Sequence, residues 1–171
     1  MKIKITAIWM GAALAAGLMT ASAVPADTQV FSATLLGDNE VPPINTDGKA
    51  AFRMEVGNSI TFSLTFSGLS TPLVVSHLHF APTKVAGGVM IFLCGGGNQP
   101  VCPAATSGTI TGTITEANVT GPVPQGIDAG DLTSALEAVG DGNAYANMHT
   151  TKFTGGEIRG QVERRRKDKK D

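Results

Sequence analysis

The three histidines of this chain all lie in two short motifs, His77-Leu78-His79 and Asn147-Met148-His149-Thr150. On a β-strand, residues i and i+2 point to the same side and lie about 6.5–7 Å apart. The imidazoles of His77 and His79 can therefore converge on one metal ion, and His149 on a second strand can supply a third ligand. Three protein ligands leave a position open for water or a carboxylate, and imidazole ligands suit zinc or copper.

A second interpretation of the histidines stays open, in which they are buried structural groups that hydrogen-bond the backbone or Glu157. Glu157 and Arg159 occupy positions i and i+2 of one expected strand, where they can form an ion pair or orient a histidine. Glu40 lies in an extended loop stiffened by Pro42 and Pro43. Its carboxylate can reach the site, but we favour the interpretation that Glu40 serves the geometry of the loop.

The sequence shows no motif for covalent catalysis or phosphate binding. The serines do not lie in a nucleophile elbow, and Gly95-Gly96-Gly97 lacks the lysine and the helix of a phosphate-binding loop. We therefore assign no catalytic residue and expect a non-catalytic protein. A hydrolase that uses an unrecognised pair of carboxylates stays open as a further alternative.

Alternation of apolar and polar residues predicts β-strands along most of the chain. Residues 60–66 place Ile60, Phe62, Leu64 and Phe66 on one face, as in a half-buried antiparallel strand. The tripeptide Gly57-Asn58-Ser59 predicts a hairpin before this strand. The other predicted strands span residues 29–36, 50–56, 73–80, 89–93, 108–115, 144–149 and 157–162.

One segment has helical spacing instead. In residues 131–139, Leu132, Leu136 and Val139 lie at i, i+4 and i+7, with Asp128 or Asp131 as the N-cap and Gly140 at the end. About eight short strands and one short helix predict an all-β fold, an antiparallel, Greek-key-like sandwich or barrel.

The N-terminus has the composition of a secretory signal. Lys2 and Lys4 precede an uncharged apolar run over residues 5–18, and Ala21-Ser22-Ala23 fits a cleavage site. We interpret residues 1–23 as a signal peptide and expect a periplasmic or extracellular protein with no transmembrane span in the mature chain. An oxidising compartment favours a disulfide between Cys94 and Cys102.

Charge is distributed unevenly along the mature chain. Residues 24–163 form one expected domain with five Lys/Arg and twelve Asp/Glu, a net charge of −7, whereas residues 164–171 have six Lys/Arg and two Asp, a net charge of +4. The acidic body argues against nucleic acid as a partner. The basic tail contains no apolar residue and is expected to be disordered.

The order of the motifs resembles that of the CHRD domain, which occurs in the extracellular protein chordin and alone in exported bacterial proteins. The resemblance spans about residues 29–163, and the motifs that carry it are Phe31-x-Ala33-x-Leu35-x-Gly37-x-x-Glu40-Val41-Pro42-Pro43, His77-Leu78-His79, Gly108-x-Ile110, Tyr145-Ala146-Asn147-Met148-His149-Thr150 and Gly156-Glu157-Ile158-Arg159-Gly160-Gln161. It implies an all-β extracellular domain.

Two functional expectations follow from the residues and the resemblance together. The first is a secreted, monomeric binding module with an extracellular or cell-envelope ligand that the sequence does not identify. The second is a mononuclear copper or zinc protein that uses His77, His79 and His149. The chain is also weakly similar to Cu/Zn superoxide dismutase, but three histidines are too few for the dinuclear site of that enzyme.

Overall fold

The computed structural model describes residues 28–165. The expected signal peptide, residues 1–23, and residues 166–171 of the basic tail lie outside the described residues. Within residues 28–165, no helix has the length and apolar character needed to cross a membrane.

Eight antiparallel strands form a nearly closed barrel, which confirms the predicted all-β fold. Their order around the barrel is β5-β4-β7-β8-β1-β2-β3-β6, and a two-residue strand, β9, extends the pairing of β8 with β1. The strands are β1 (Gln29–Leu36), β2 (Lys49–Val56), β3 (Ile60–Ser67), β4 (Leu73–Phe80), β5 (Gly88–Cys94), β6 (Gly108–Ile114), β7 (Ala144–Thr150), β8 (Ile158–Gln161) and β9 (Glu163–Arg164).

The alternating residues of the first three strands fill the interior of the barrel. Phe52 and Leu64 lie opposite each other in the pairing of β2 with β3, and both are buried. The neighbouring threonines of β3, Thr61 and Thr65, point outwards and are exposed. One face of each strand therefore supplies the apolar core, as the period of two predicts.

The predicted helix is present as α1 (Leu132–Gly140), one residue later than the sequence indicates. The Asp131 carboxylate accepts a hydrogen bond from the backbone N–H of Ser134 at 3.0 Å, so Asp131 is the N-cap. Ala135, Ala138 and Val139 are buried in the same core cluster as the strands.

The predicted disulfide between Cys94 and Cys102 is formed. It closes a loop that lies along the seam between the edge strands β5 and β6. From this loop, the Gln99 amide donates to the Thr113 carbonyl oxygen at 2.8 Å, and the Asn98 amide donates to the Ala117 carbonyl oxygen at 2.9 Å. The bond to Thr113 satisfies a carbonyl group of the edge strand β6 that would otherwise be open to another strand.

Close approach of β8 to β1 requires a glycine at position 160. A Cβ atom at this position would overlap the backbone carbonyl of Thr34. We expect Gly160→Ala to force the two strands apart and to lower the free energy of unfolding by about 1–3 kcal/mol, the usual cost of overpacking.

Urea denaturation of the variant checks this prediction. Gly155→Ala is the matched control, because a Cβ atom at position 155 meets nothing within 4 Å. Equal stability of the two variants would contradict the inferred close approach.

Candidate metal centre

The three histidines lie on the outer face of the sheet formed by β4, β7 and β8. His77 is paired with Asn147 and His79 with Tyr145, while Val75 on the same side of β4 is paired with His149. The alternate residues of these strands, such as Leu78 and Ala146, face the core. All seven residues of β7 are buried, so this part of the sheet is covered on both faces. The polar side chains on this outer face are therefore buried, as the apolar side chains on the opposite face are.

The histidine rings form a compact cluster. The ring centroids of His77 and His79 are 4.5 Å apart, and those of His77 and His149 are 4.6 Å apart. One ring nitrogen from each of the three histidines can be chosen such that all three atoms lie within 4.8 Å of one another. The sequence prediction that His149 joins the His77-His79 pair in space is confirmed.

Hydrogen bonds orient two of the rings and fix their tautomers. The Nδ1–H of His79 donates to the Gly87 carbonyl oxygen at 2.9 Å, and the Nδ1–H of His149 donates to the Thr154 carbonyl oxygen at 2.9 Å. We assign the protons to Nδ1 because a carbonyl can only accept. Both Nε2 atoms then carry a free lone pair, the state in which an imidazole ligates a metal.

Three buried nitrogens of the cluster have no hydrogen-bond partner. They are Nδ1 of His77, Nε2 of His79 and Nε2 of His149, and they are the only such side-chain atoms within residues 28–165. A buried polar atom without a partner costs about 1–3 kcal/mol. One ion that accepts all three lone pairs would remove this cost.

The environment keeps the three imidazoles neutral. Burial, together with the neighbouring His79 and His149, lowers the pKa of His77 from 6.5 to about 2. Burial also lowers the pKa of His79 to about 4, against the opposing effect of its hydrogen bond to Gly87, and it lowers the pKa of His149. Neutral rings are the form that binds a metal, so protons do not compete for the site at neutral pH.

A buried ion pair lies next to the histidines. The Arg159 Nε–H donates to Oε2 of Glu40 at 2.6 Å, and the Asn147 amide donates to Oε1 of the same carboxylate at 2.6 Å. Glu40 and Arg159 are both buried. The carboxylate therefore compensates the guanidinium charge, which would otherwise disfavour a cation in the neighbouring cluster.

Glu157 has a different role from the one expected. It precedes β8, and its carboxylate accepts hydrogen bonds from Thr46, Ser70 and Thr150 rather than from a histidine or Arg159. Burial alone would raise the pKa of Glu157, but these bonds lower it. The suggested pairing of Glu157 with Arg159 is wrong, because the guanidinium turns to Glu40, and the suggested contact of Glu157 with the histidines is wrong as well.

Tyr145 is a neighbour of the cluster that the sequence analysis missed. Its ring stacks on His79 with a centroid distance of 4.6 Å, and the Arg159 guanidinium lies 4.4 Å from the Tyr145 ring centroid. Tyr145 shares the outer face with Asn147 and His149, since the three alternate along β7. This alternation in the motif around His149 could have predicted from the sequence that Tyr145 lies beside the histidines.

The structure shows why the motif that contains Glu157 begins with a glycine, Gly156. Its φ of 124° lies in the region that favours glycine, and a Cβ atom would come within 2.7 Å of Glu40 Oε1 and 2.9 Å of the Asn147 amide nitrogen. The glycine therefore makes room for the ion-pair network next to the histidines.

The fold and the site together define a class of protein, an all-β barrel domain whose outer face holds a buried three-histidine cluster. A family model for the CHRD domain matches residues 31–162, and the chain belongs to this family. Comparison with curated proteins and with solved structures gives no match.

The lowered pKa values of the histidines predict a pH-dependent stability of the metal-free protein. Between the unfolded pKa of about 6.5 and the lower folded values, the unfolded chain binds more protons. The free energy of unfolding should therefore fall as the pH decreases from 7 to 5, by about 1.4 kcal/mol per pH unit for each histidine at the steepest point.

Urea denaturation of metal-free protein at several pH values measures this slope. His77→Leu removes one of the titrating groups and should reduce the slope by the share of one histidine. An unchanged slope in this variant would show that His77 is not held neutral by the fold.

The ion pair beside the histidines predicts a large effect for Glu40→Ala. Removal of the carboxylate leaves the buried Arg159 charge uncompensated, so the free energy of unfolding should fall by about 3–5 kcal/mol. Arg53→Ala is the control, because Arg53 pairs with Glu55 at 2.5 Å on the surface, where both side chains are 45% exposed. It should cost less than about 1 kcal/mol. Thermal denaturation compares the two, and similar losses would contradict the buried role of Glu40.

Proposed function

We propose that this CHRD domain binds a single zinc or copper ion through His77, His79 and His149. The observation that carries this proposal is the convergence of three buried imidazoles, which bring one ring nitrogen each to within 4.8 Å of one another. Each of these imidazoles also has a buried nitrogen without a hydrogen-bond partner. A purely structural cluster would be expected to pair these atoms with protein groups, as buried polar atoms usually are.

The spacing of the nitrogens is compatible with such an ion. Ligand nitrogens about 2.0–2.1 Å from a tetrahedral zinc ion lie about 3.4 Å from one another. The observed upper limit of 4.8 Å exceeds this value by less than 1.5 Å, a gap that the nitrogens would have to close on binding the ion. The hydrogen bonds to Gly87 and Thr154 hold the rings of His79 and His149 from behind, as is usual for histidine ligands.

The composition of the ligand set limits the choice of metal. Three neutral imidazoles without a carboxylate or thiolate suit zinc or copper and do not suit calcium or magnesium, which prefer oxygen ligands. The set leaves one coordination position for water or another molecule, where zinc could act on a bound water and copper could change its redox state.

Binding of metal is the first prediction of this proposal. Protein without a histidine tag, loaded separately with zinc and copper and dialysed against a weak chelator, should retain about one equivalent by elemental mass spectrometry. The bound ion should also raise the melting temperature, since a ligand that binds only the folded state stabilises it. Retention of no metal would overturn the proposal.

His77→Leu separates a ligand from a structural residue. Within residues 28–165, His77 makes no side-chain hydrogen bond, whereas His79 and His149 each make one to a backbone carbonyl. Leucine fills a similar volume without a buried polar atom, so the metal-free variant should be at least as stable as the wild type while it loses the metal.

Phe92→Leu is the matched control for this variant. The Phe92 ring lies 5.3 Å from the ring of His77 and supplies no ligand atom, so this variant should retain the metal. A loss of metal in both variants, or marked destabilisation of metal-free His77→Leu, would contradict the assigned role of His77.

A further inference from the structure

A polar cleft of about 660 Å³ lies on the outer surface of the barrel, apart from the histidines. We call the part of its lining that belongs to β1 and β2 its floor, and Thr83, Lys84, Glu163 and Arg165 line it as well. None of the three histidines lines it, although Arg159 does. The cleft is therefore a separate surface feature that the proposed metal site does not explain.

The strand register places polar residues on the floor of the cleft. Ser32 lies opposite both Arg53 on β2 and Glu163 on β9, and Thr34 lies opposite Ala51. These residues alternate with Phe31, Ala33 and Phe52, which are buried in the core, although Ala33 and Phe52 also border the cleft. The same period of two that builds the core thus gives the cleft a row of hydroxyl and charged groups.

Positive charge is concentrated in this cleft. Residues 28–165 contain seven Lys/Arg and eleven Asp/Glu, a net charge of −4. Four of the seven cations line the cleft, against a single carboxylate, that of Glu163; the four are Arg53, Lys84, Arg159 and Arg165. The lining has a formal charge of +3, of which the charges of Arg53 and Arg159 are each paired with a carboxylate outside it. A positive lining on an acidic body favours an anion.

Two of these cations are available for a ligand. Arg53 is paired with Glu55 and Arg159 with Glu40, whereas Lys84 and Arg165 form no ion pair within the part of the chain that the structure describes. The Lys84 ammonium donates to the Asp38 carbonyl oxygen at 2.8 Å, and the Arg165 backbone N–H donates to the Val30 carbonyl oxygen at 2.8 Å. These hydrogen bonds hold both residues at the cleft and leave their positive charges without a carboxylate partner.

The other lining groups narrow the chemistry of the ligand. Hydroxyls of Ser32, Thr34 and Thr83 and the amide of Asn39 line the cleft, and the only aromatic residue among its lining, Phe52, is 1% exposed. Recognition of single-stranded nucleic acid uses exposed aromatic faces for stacking, which this cleft does not offer. Hydroxyls and amides beside cations suit a ligand that is both polyhydroxylated and anionic.

We propose that this cleft binds an acidic polysaccharide, with carboxylate or sulfate groups paired to Lys84 and Arg165. The sugar hydroxyls would exchange hydrogen bonds with the threonine, serine and asparagine side chains of the lining. Residues 166–171 follow Arg165 directly and add four Lys/Arg and two Asp, so the sequence continues the positive charge beyond the cleft. The proposal is independent of the metal site.

Fluorescence polarisation with labelled oligosaccharides of alginate, a uronate polymer, and of dextran sulfate tests the proposal, with neutral dextran as the uncharged probe. We expect the full chain to bind at least one of the two acidic probes but not neutral dextran, with an affinity that falls as salt is added. The stronger acidic probe identifies carboxylate or sulfate as the preferred group. Binding of neither acidic probe, or equal binding of neutral dextran, would overturn the proposal.

The double variant Lys84→Gln/Arg165→Gln should weaken binding by about tenfold or more, because hydrogen bonds between charged groups contribute at least that factor. The matched control is Lys49→Gln/Lys152→Gln, which removes the same charge at positions that do not line the cleft. It should change the affinity much less. Equal losses in the two double variants would overturn the assignment to the cleft.

A third variant separates the cleft from the basic tail. Replacement of Arg166, Lys167, Lys169 and Lys170 by glutamine leaves the cleft unchanged and should retain most of the affinity. Loss of binding in this variant alone would assign the interaction to the tail and overturn the proposal. Equally tight binding of a single-stranded oligonucleotide would show a general polyanion surface instead of a polysaccharide site.

Discussion

The burial of polar side chains on the outer face of β4, β7 and β8 is the constraint on which the rest of the site depends. Buried polar groups need partners, and this sheet has its apolar core on the opposite face. Neighbouring loops supply the partners through the Glu40 carboxylate and through the carbonyl oxygens of Val85, Gly87 and Thr154. The loops are therefore fixed by the same hydrogen bonds that orient the histidines.

This arrangement makes the three unpartnered nitrogens informative. Asn147 and Arg159 make side-chain hydrogen bonds beside the cluster, and Glu157 makes them just before β8. The fold therefore provides partners for other buried polar side chains of this sheet. Arg159 pairs with Glu40, which lies 119 residues away in the sequence. By contrast, one buried nitrogen of each of the three histidines has no hydrogen-bond partner. The missing hydrogen bonds are therefore confined to the histidine cluster and do not reflect poor packing of the region. The chemistry of the unpaired atoms, three lone pairs in one small space, matches an electrophile such as a metal ion.

The sequence predicts the local parts of this structure well and the long-range parts poorly. Alternation located the eight strands to within a few residues, and the spacing of His77 and His79 placed both rings on one face. The partners of Glu40 and Glu157 depend on how distant loops fold over the barrel, and no periodicity encodes that. The assumed contact of Glu157 with Arg159 failed because Glu157 precedes β8 and faces Thr46, Ser70 and Thr150.

Arg159 connects the two surfaces that we propose as binding sites. Its guanidinium pairs with Glu40, lies against Tyr145, which stacks on His79, and also lines the polar cleft. One strand thus separates a neutral, buried cluster suited to a cation from an exposed, positive cleft suited to an anion. Besides burial, the guanidinium charge lowers the pKa of His79 and of His149, and the Glu40 carboxylate opposes this effect at His149. The remaining cations of the cleft face solvent, where their charges act more weakly. The two proposed sites can therefore coexist as neighbours on the outer surface of one small barrel.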